Sequence, residues 1–163
     1  FWQCINGEIR MIDFYESTGQ DITKCLFEVL SKPYQFGHCI LPHDANHHNI
    51  RSPLTITQIF QNNNLRCTVL PPSSITAGIE ATKLLLKSLK FDEEHTKIGV
   101  QHLEAYAYKI VQDKGIDRSK PDQSSPHADA SDALRMMAVS QSIWYPRPLN
   151  SISNFNYSPN VLS

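Results

Sequence analysis

The chain has 163 residues, of which 40% are hydrophobic and 19% are charged, and its formal net charge is −1. This length and composition suit one folded domain with one hydrophobic core, and they exclude a chain disordered throughout. Dedicated nucleic-acid-binding domains are usually basic, so the charge argues against tight independent binding of DNA or RNA, but net charge says nothing about a local basic stripe. No apolar run approaches the roughly 20 residues of a membrane span.

The chain begins inside a predicted strand. FWQCI at 1–5 and the alternating stretch at 8–16 flank Asn6-Gly7, a dipeptide typical of tight hairpin turns. These stretches therefore predict an antiparallel hairpin. Residues 1–10 lack an initial Met, and they lack the basic start and apolar segment of a signal peptide, so we expect the natural N-terminus to lie upstream.

Helices and strands then alternate along the chain. Asp21 and Ser52 are predicted to cap the first two helices. Ser73 or Ser74 is predicted to cap the third. We predict strands at 38–41 and 66–70, helices at 22–32, 52–61, 74–89, 98–111 and 127–144, a charged linker at 90–97, a loop at 113–126, and a flexible C-terminal tail at 145–163 after a single domain at 1–144. This order predicts an α/β fold, with helices on the faces of a mixed central sheet.

The four cysteines are far apart and include no CxxC pair. This spacing, in a chain of this length, favours buried free thiols over a disulfide framework or a zinc site. We therefore expect four free thiols, at Cys4, Cys25, Cys39 and Cys67.

An acidic residue follows the predicted strand at 38–41. The stretch CILPHDANHHN at 39–49 passes from apolar residues through Pro42 to Asp44 and three histidines. Ligands of open α/β sheets bind at the carboxyl ends of strands, so Asp44 is a candidate metal ligand or catalytic acid. The alternative is that Asp44 only caps a turn. The histidines are either zinc ligands or solvated loop residues, and the asparagines among them favour a loop; they are His43, His47 and His48.

Two more acids lie near the start of the last predicted helix. Asp129 and Asp132 are three residues apart and therefore share a helix face. Carboxylates from distant parts of a chain can converge on divalent cations, and oxygen ligands favour Mg²⁺ or Mn²⁺ over zinc. Two such ions about 4 Å apart would activate a water and stabilise the leaving oxygen at a phosphodiester. The alternative is that both acids are exposed residues favoured by the helix dipole.

Three lysines at helical spacing lie in the second half of the third predicted helix and directly after it. Lys83, Lys87 and Lys90 would form a basic stripe. The stripe is either a solvated face or a contact surface for DNA phosphates.

Several stretches, taken together, resemble one protein family. In chain order they are NGEIRMIDFYESTGQ, HCILPHDA, VLPPSSITAGIEATKLLL with FDEE, GVQHLEAY and SSPHADASDALRMMA, and they span residues 1 to about 140. Their order and content resemble the C-terminal nuclease domain of the large terminase subunit of tailed bacteriophages, which cuts concatemeric DNA during head packaging. Each stretch is only moderately specific, but this order is hard to reach by chance.

The resemblance implies an RNase H-like fold and two-metal endonuclease chemistry with Mg²⁺ or Mn²⁺. The family's second metal-binding Asp falls on Asp44, in LPHDA, and its acid in the last helix falls on Asp132, in SDALR. Both would be catalytic. Asp129 is a nearby carboxylate that could assist as a metal ligand, because His127 lies two residues further from SDALR than the family's usual spacing.

The resemblance also implies partners. They are double-stranded DNA, a terminase ATPase domain upstream, and the portal protein and small terminase subunit, with the tail as a contact for the portal. No membrane is involved, and the location would be the cytoplasm of the host bacterium.

The main departure from the family concerns its first catalytic Asp, which lies in a strand before the hairpin. This chain starts at the family's second strand, so we expect weak Mg²⁺ binding, an inactive fragment, and an unpaired sheet edge prone to self-association. One alternative is a catalytically inactive prophage remnant that acts at most as a DNA- or protein-binding module. Another is a different RNase H-like nuclease, such as a resolvase.

Overall fold

The computed structural model describes residues 1–48, 52–111 and 115–145. These residues have a mixed α/β architecture of six α-helices, one 3-10 turn and seven short strands. In chain order the elements are β1 (Trp2–Ile5), β2 (Glu8–Met11), α1 (Ile22–Leu30), β3 (His38–Leu41), the 3-10 turn (His43–Asn46), α2 (Ile56–Asn62), β4 (Arg66–Val69), α3 (Ile75–Leu86), β5 (Lys90–Phe91), α4 (Lys97–Ala105), β6 (Tyr108–Val111), β7 (Gly115–Pro121), α5 (Ala128–Val139) and α6 (Gln141–Trp144).

The predicted N-terminal hairpin is confirmed. β1 and β2 pair antiparallel, with Cys4 opposite Ile9. The turn residues Asn6 and Gly7 have φ angles of 51° and 80°, the positive values that a type I′ turn requires and that Asn and Gly adopt most easily. The Asn6-Gly7 dipeptide therefore predicted this pairing correctly.

The strands form three small sheets and not the single central sheet that we predicted. β2 pairs in parallel with β5, which gives the order β1-β2-β5, while β3 and β4 form a separate parallel pair and β6 and β7 an antiparallel one. No described strand pairs with the outer edge of β1 or of β3. Residues of both strands line one cavity, and the two strands are not hydrogen-bonded to each other.

The predicted helix at 98–111 and the predicted loop at 113–126 are wrong in part. α4 ends at Ala105, and the β6–β7 hairpin follows it. Residues such as Tyr108 and Ile110 are aromatic or β-branched, and these types favour a strand that can pair with a neighbour. Cross-strand pairing therefore overrides the helical spacing of this stretch.

Several other boundaries differ from prediction: β2 ends at Met11 and not at residue 16, and α3 ends at Leu86 and not at residue 89. The linker at 90–97 begins with the two residues of β5, because they pair with β2. The second helix is capped by Thr55 and not by Ser52. The helix predicted at 127–144 breaks at Ser140 into α5 and α6, and the Ser140 hydroxyl donates to a backbone carbonyl oxygen of the preceding turn, a bond that competes with helix continuation.

Two caps and the state of the cysteines agree with prediction. The Asp21 carboxylate accepts a hydrogen bond from the Thr23 amide (2.8 Å) at the start of α1. The Ser74 hydroxyl accepts from the Ala77 amide (3.4 Å) at the start of α3. All four cysteines are free thiols. Except for Tyr145, the predicted tail lies outside the described residues, and no helix in the described ranges is long and apolar enough to cross a membrane.

Two hydrophobic clusters hold these elements together. The larger lies between the β1-β2-β5 sheet and helices α3 and α5, and its buried residues are Ile9, Leu85, Leu89, Leu134, Met137 and Ala138. The smaller packs α1 and α2 against β3 and β4, through buried Leu26, Ile59 and Leu65. Each buried large apolar side chain contributes about 1.5–3 kcal/mol, so Leu134 and Met137 anchor the second half of α5 in the core.

Candidate functional site

Asp44 lies just past the carboxyl end of β3, as predicted. It belongs to the single 3-10 turn His43–Asn46, in which the His47 amide donates to the Asp44 carbonyl oxygen (2.8 Å). Ala45 is fully buried, and the Thr57 hydroxyl of α2 donates to its carbonyl oxygen (3.3 Å). The turn is therefore held against α2, while the Asp44 side chain is exposed and accessible to a ligand from solvent.

Asp132 occupies a different environment, on the second turn of α5. Its side chain is 33% exposed, and its Oδ1 atom is buried. Oδ1 lies 2.8 Å from Arg135 Nη1, yet it accepts no well-aligned hydrogen bond from any described residue. Burial raises the pKa of Asp132, the charge of Asp129 also raises it, and Arg135 opposes both effects. A carboxylate held this way is poised to gain from a nearby cation.

Arg135 is positioned by a glycine on the neighbouring helix. A Cβ at Gly78 of α3 would lie 2.4 Å from Arg135 Cδ and 2.5 Å from its Cγ. The absence of a side chain at Gly78 therefore leaves room for the Arg135 side chain, which lies against α3 and pairs with Asp132. Sequence analysis missed this role of Gly78, although an isolated glycine inside a helical pattern often marks a packing constraint.

Tyr106 and Gln123 complete the polar surroundings of Asp132. The Tyr106 hydroxyl accepts a hydrogen bond from Gln123 Nε2 (2.6 Å). Burial raises the pKa of Tyr106, and the charge of Asp132 raises it further, so the phenol is close enough to sense that carboxylate. Asp129, in the first turn of α5, is exposed.

One acid that sequence analysis did not single out is buried just past the end of β2. Asp13 is 5% exposed, and its carboxylate accepts hydrogen bonds from Lys32 Nζ (2.6 Å), the Tyr34 hydroxyl (3.0 Å) and the Phe14 amide (2.7 Å). Burial raises its pKa, but these donors outweigh burial and lower it overall. Both oxygens of Asp13 are used by the protein itself, so we interpret Asp13 as a structural residue.

The predicted ligands do not form a ready-made metal cage. Within residues 1–48, 52–111 and 115–145, no three His, Cys, Asp or Glu side chains are close enough together to hold a metal ion. His43, His47 and His48 are all exposed, as expected for solvated loop residues. Asp129 and Asp132 share one helix, whereas Asp44 comes from the β3 side of the molecule.

The three lysines do not lie on one helical face. α3 ends at Leu86, so Lys90 belongs to β5, and the prediction of a single helical stripe is wrong because the helix is too short. Lys83, Lys87 and Lys90 are nevertheless all exposed. Lys83 Nζ lies 2.7 Å from the Glu80 carboxylate, an exposed pair that contributes little to stability and leaves the lysine available to another anion.

Comparisons of the chain with known protein families, with curated proteins and with solved structures found no match.

Proposed function

We propose that this chain is a metal-dependent DNA endonuclease domain of a phage DNA-packaging terminase, with an RNase H-like fold. The observation that carries the proposal is the half-buried carboxylate of Asp132, with its raised pKa and its poorly aligned Oδ1. Such a group lowers the stability of the fold, and perturbed carboxylates of this kind concentrate at functional sites. It also falls on the residue that the family resemblance selected independently.

The arrangement of the sheets supports the RNase H-like part of the proposal. Residues of β1 and β3 line one cavity of about 580 Å³, and among the described strands each of these two is paired on one side only. Neighbouring strands of a sheet lie about 4.8 Å apart, so one strand added between β1 and β3 would have to pair with both of them across this cavity. We place the family's first strand, with its catalytic Asp, in this cavity, where it would join the β1-β2-β5 sheet to the β3–β4 pair.

The donor set fits Mg²⁺ or Mn²⁺. Asp44, Asp129 and Asp132 offer only carboxylate oxygens, the ligands that these ions prefer, and the exposed side chain of Asp44 is free to contribute. When bound, two such ions supply an activated water and charge stabilisation at a phosphodiester. The chain's own part is to hold Asp132 in place through Arg135, and to present Asp44 at the end of β3.

DNA binding in this proposal is independent of base sequence. The exposed lysines Lys83, Lys87 and Lys90 would contact phosphates, and phosphate contacts position a duplex without reading its bases. Because each neutralised phosphate releases counterions, we expect DNA binding to weaken steeply as salt increases.

A plasmid-nicking assay with Mn²⁺ tests the function. The samples are this chain, the chain preceded by a first strand that carries an Asp, and the latter with Asp44→Asn, Asp132→Asn or Asp21→Asn. We expect the extended chain to cut and the bare chain to cut poorly. Asp44→Asn and Asp132→Asn should each abolish cutting without unfolding the protein. Asp21→Asn is the matched control, because Asn caps a helix as well as Asp does.

The outcomes of this assay distinguish a nuclease domain from a catalytically inactive prophage remnant. Cutting that survives Asp44→Asn or Asp132→Asn would refute the residue assignment. An extended chain that folds but never cuts would refute the nuclease proposal, and it would leave a catalytically inactive binding module as the better explanation.

A further inference from the structure

A chain of three polar side chains connects the start of α5 to the rest of the domain. Glu16 follows β2, His102 lies in the last turn of α4, and His127 directly precedes α5. His102 Nε2 is 3.1 Å from the Glu16 carboxylate. His102 Nδ1 is 2.8 Å from Nδ1 of His127. None of the three belongs to the carboxylate set or the lysines described above.

When both imidazole rings are neutral, the contacts limit where their protons lie. An ionised carboxylate only accepts hydrogen bonds, so His102 must carry a proton on Nε2. A bond between two Nδ1 atoms needs one proton and one lone pair. With both rings neutral, His102 therefore presents its Nδ1 lone pair, and His127 donates from Nδ1. Glu16 thus selects the tautomer of His102, which in turn selects the tautomer of His127.

The surroundings of His102 hold its ring in the orientation that these two hydrogen bonds require. Its side chain is only 17% exposed, whereas that of Glu16 is 53% exposed, so the chain of bonds runs inward from the surface. The His102 ring also packs against the Phe14 ring, with centroids 6.1 Å apart. Phe14 in turn packs closely on Gly99 of α4. The imidazole is therefore restrained by contacts on its face as well as by its two hydrogen bonds.

His127 uses its side chain for this chain of bonds and not for its own helix. It occupies the N-cap position of α5, yet its side chain makes no capping hydrogen bond. Ser, Thr, Asp or Asn at this position typically stabilises a helix by about 1 kcal/mol relative to Ala. A departure from the locally best residue is expected where another requirement dominates. Here that requirement is the bond to His102.

We propose that Glu16 and His102 are positioning residues that fix His127, and through it the first two turns of α5 with Asp129 and Asp132. This inference rests on the proposed nuclease function, because those acids are its metal ligands. Removing a group that orients a metal ligand typically costs 10- to 100-fold in metal affinity or activity. We expect losses in that range, with little loss of overall stability.

Substitutions at His102 separate its two bonds. His102→Phe keeps an aromatic ring and removes both hydrogen bonds. His102→Asn places an oxygen acceptor near the position of Nδ1, and so restores the bond to His127 without the bond to Glu16. His95→Phe is the matched control, since it removes an exposed histidine that pairs with Asp92 (2.8 Å).

Nitrogen NMR and amide hydrogen exchange provide readouts that do not depend on activity. In the parent protein, His102 should carry its proton on Nε2 and His127 on Nδ1. In His102→Phe, His127 should change to the Nε2–H tautomer that unconstrained histidine favours, and the amides of Ser131 and Asp132 should exchange at least about tenfold faster. His102→Asn should restore both properties in part, and His95→Phe should change neither. Unchanged tautomer and exchange in His102→Phe would overturn the inference.

Nicking by the extended chain then tests the link to the metal site. The Mn²⁺ concentration for half-maximal cutting should rise about 10- to 100-fold in His102→Phe and in Glu16→Ala, and less in His102→Asn. An unchanged Mn²⁺ requirement, with a confirmed change in exchange, would overturn the metal-positioning role. If the parent never cuts, the proposed function fails, whereas the tautomers and exchange rates still decide whether these residues fix α5.

Discussion

Gly78 leaves the space that the Arg135 side chain fills between α3 and α5. The consequence of adding a methyl group there depends on what must move, and the protein contains a useful comparison. A Cβ at Gly99 of α4 would lie 2.8 Å from Cδ2 of the Phe14 ring. Arg135 is flexible, whereas a packed aromatic ring is not. The same substitution should therefore have different effects at the two glycines.

Gly78→Ala should change stability by less than about 1 kcal/mol, because helix propensity gained from Ala offsets the displacement of Arg135. The displaced Arg135 would no longer lower the pKa of Asp132, so that pKa should rise further. Gly99→Ala gains the same helix propensity but should still lose about 1–2 kcal/mol, since the packed Phe14 ring has to shift. Urea unfolding and carboxyl NMR titration measure these effects. Gly37→Ala is the control, with no atom within 4 Å of its Cβ. An unmoved Asp132 pKa in Gly78→Ala would contradict the positioning of Arg135.

Asp13 and Asp132 should give opposite dependences of stability on pH. The pKa of Asp13 is lowered in the folded state, because its donors outweigh burial. Its ionised form therefore stabilises the fold above the ordinary pKa of Asp, and that contribution is lost as pH falls through the lowered pKa. The pKa of Asp132 is raised, so its ionisation destabilises the fold as pH increases through the ordinary pKa and up to the raised one.

Asp13→Asn should therefore cost about 2 kcal/mol at pH 7, the range for hydrogen bonds to a charged group, and less near pH 3, which lies below the ordinary pKa of Asp. Urea unfolding at both pH values measures the difference from the parent. Combining it with Lys32→Met in a double-mutant cycle assigns the part due to the ion pair. An equal cost at pH 7 and pH 3 would show that the Asp13 charge is not what stabilises the fold.

Among the helices and strands, the sequence correctly predicted the features that depend on hydrogen bonds between residues close together in the chain. Asn6 and Gly7 form the hairpin turn, and Asp21 caps α1, because each acts on residues next to it in the chain. β5 could not be predicted in this way. Its two residues become a strand only because β2, far away in sequence, supplies the pairing partner. The cap of α2 was misplaced for a related reason, since Ser52 and Thr55 are both good caps and a reciprocal bond decides between them.

That reciprocal bond gives a direct test at α2. The Thr55 hydroxyl accepts from the Gln58 amide (3.2 Å), and the Gln58 side chain accepts from the Thr55 amide (2.9 Å). Thr55→Ala should lower the free energy of unfolding by about 1–2 kcal/mol. Ser52→Ala, the matched control, should cost less than about 0.5 kcal/mol, because Ser52 lies outside the helix. Chemical denaturation measures both, and equal costs would contradict the capping box.

Across the whole molecule, the α/β class followed from the alternation of elements, but the division into three sheets did not. Hydrophobic periodicity and β-propensity show that a strand exists, but they do not show which neighbouring strand it pairs with. The candidate site has the same limit. The sequence placed Asp44 after a strand and Asp132 on a C-terminal helix. It could not supply the crossing of Arg135 over Gly78 or the link from Glu16 through His102 to His127.

The pairing of β2 with β5 also bears on the order in which the chain folds. Arg10 pairs with Lys90, so the pairing closes a loop of about 80 residues, and its entropy cost precedes any gain from contacts. The β1–β2 hairpin and the β3–α2–β4 unit close much shorter loops. We therefore expect these two units to form early and independently, and β5 to dock late. Because α3 and α4 flank β5 in the chain, the surroundings of Asp132 should be among the last parts of the protein to assemble.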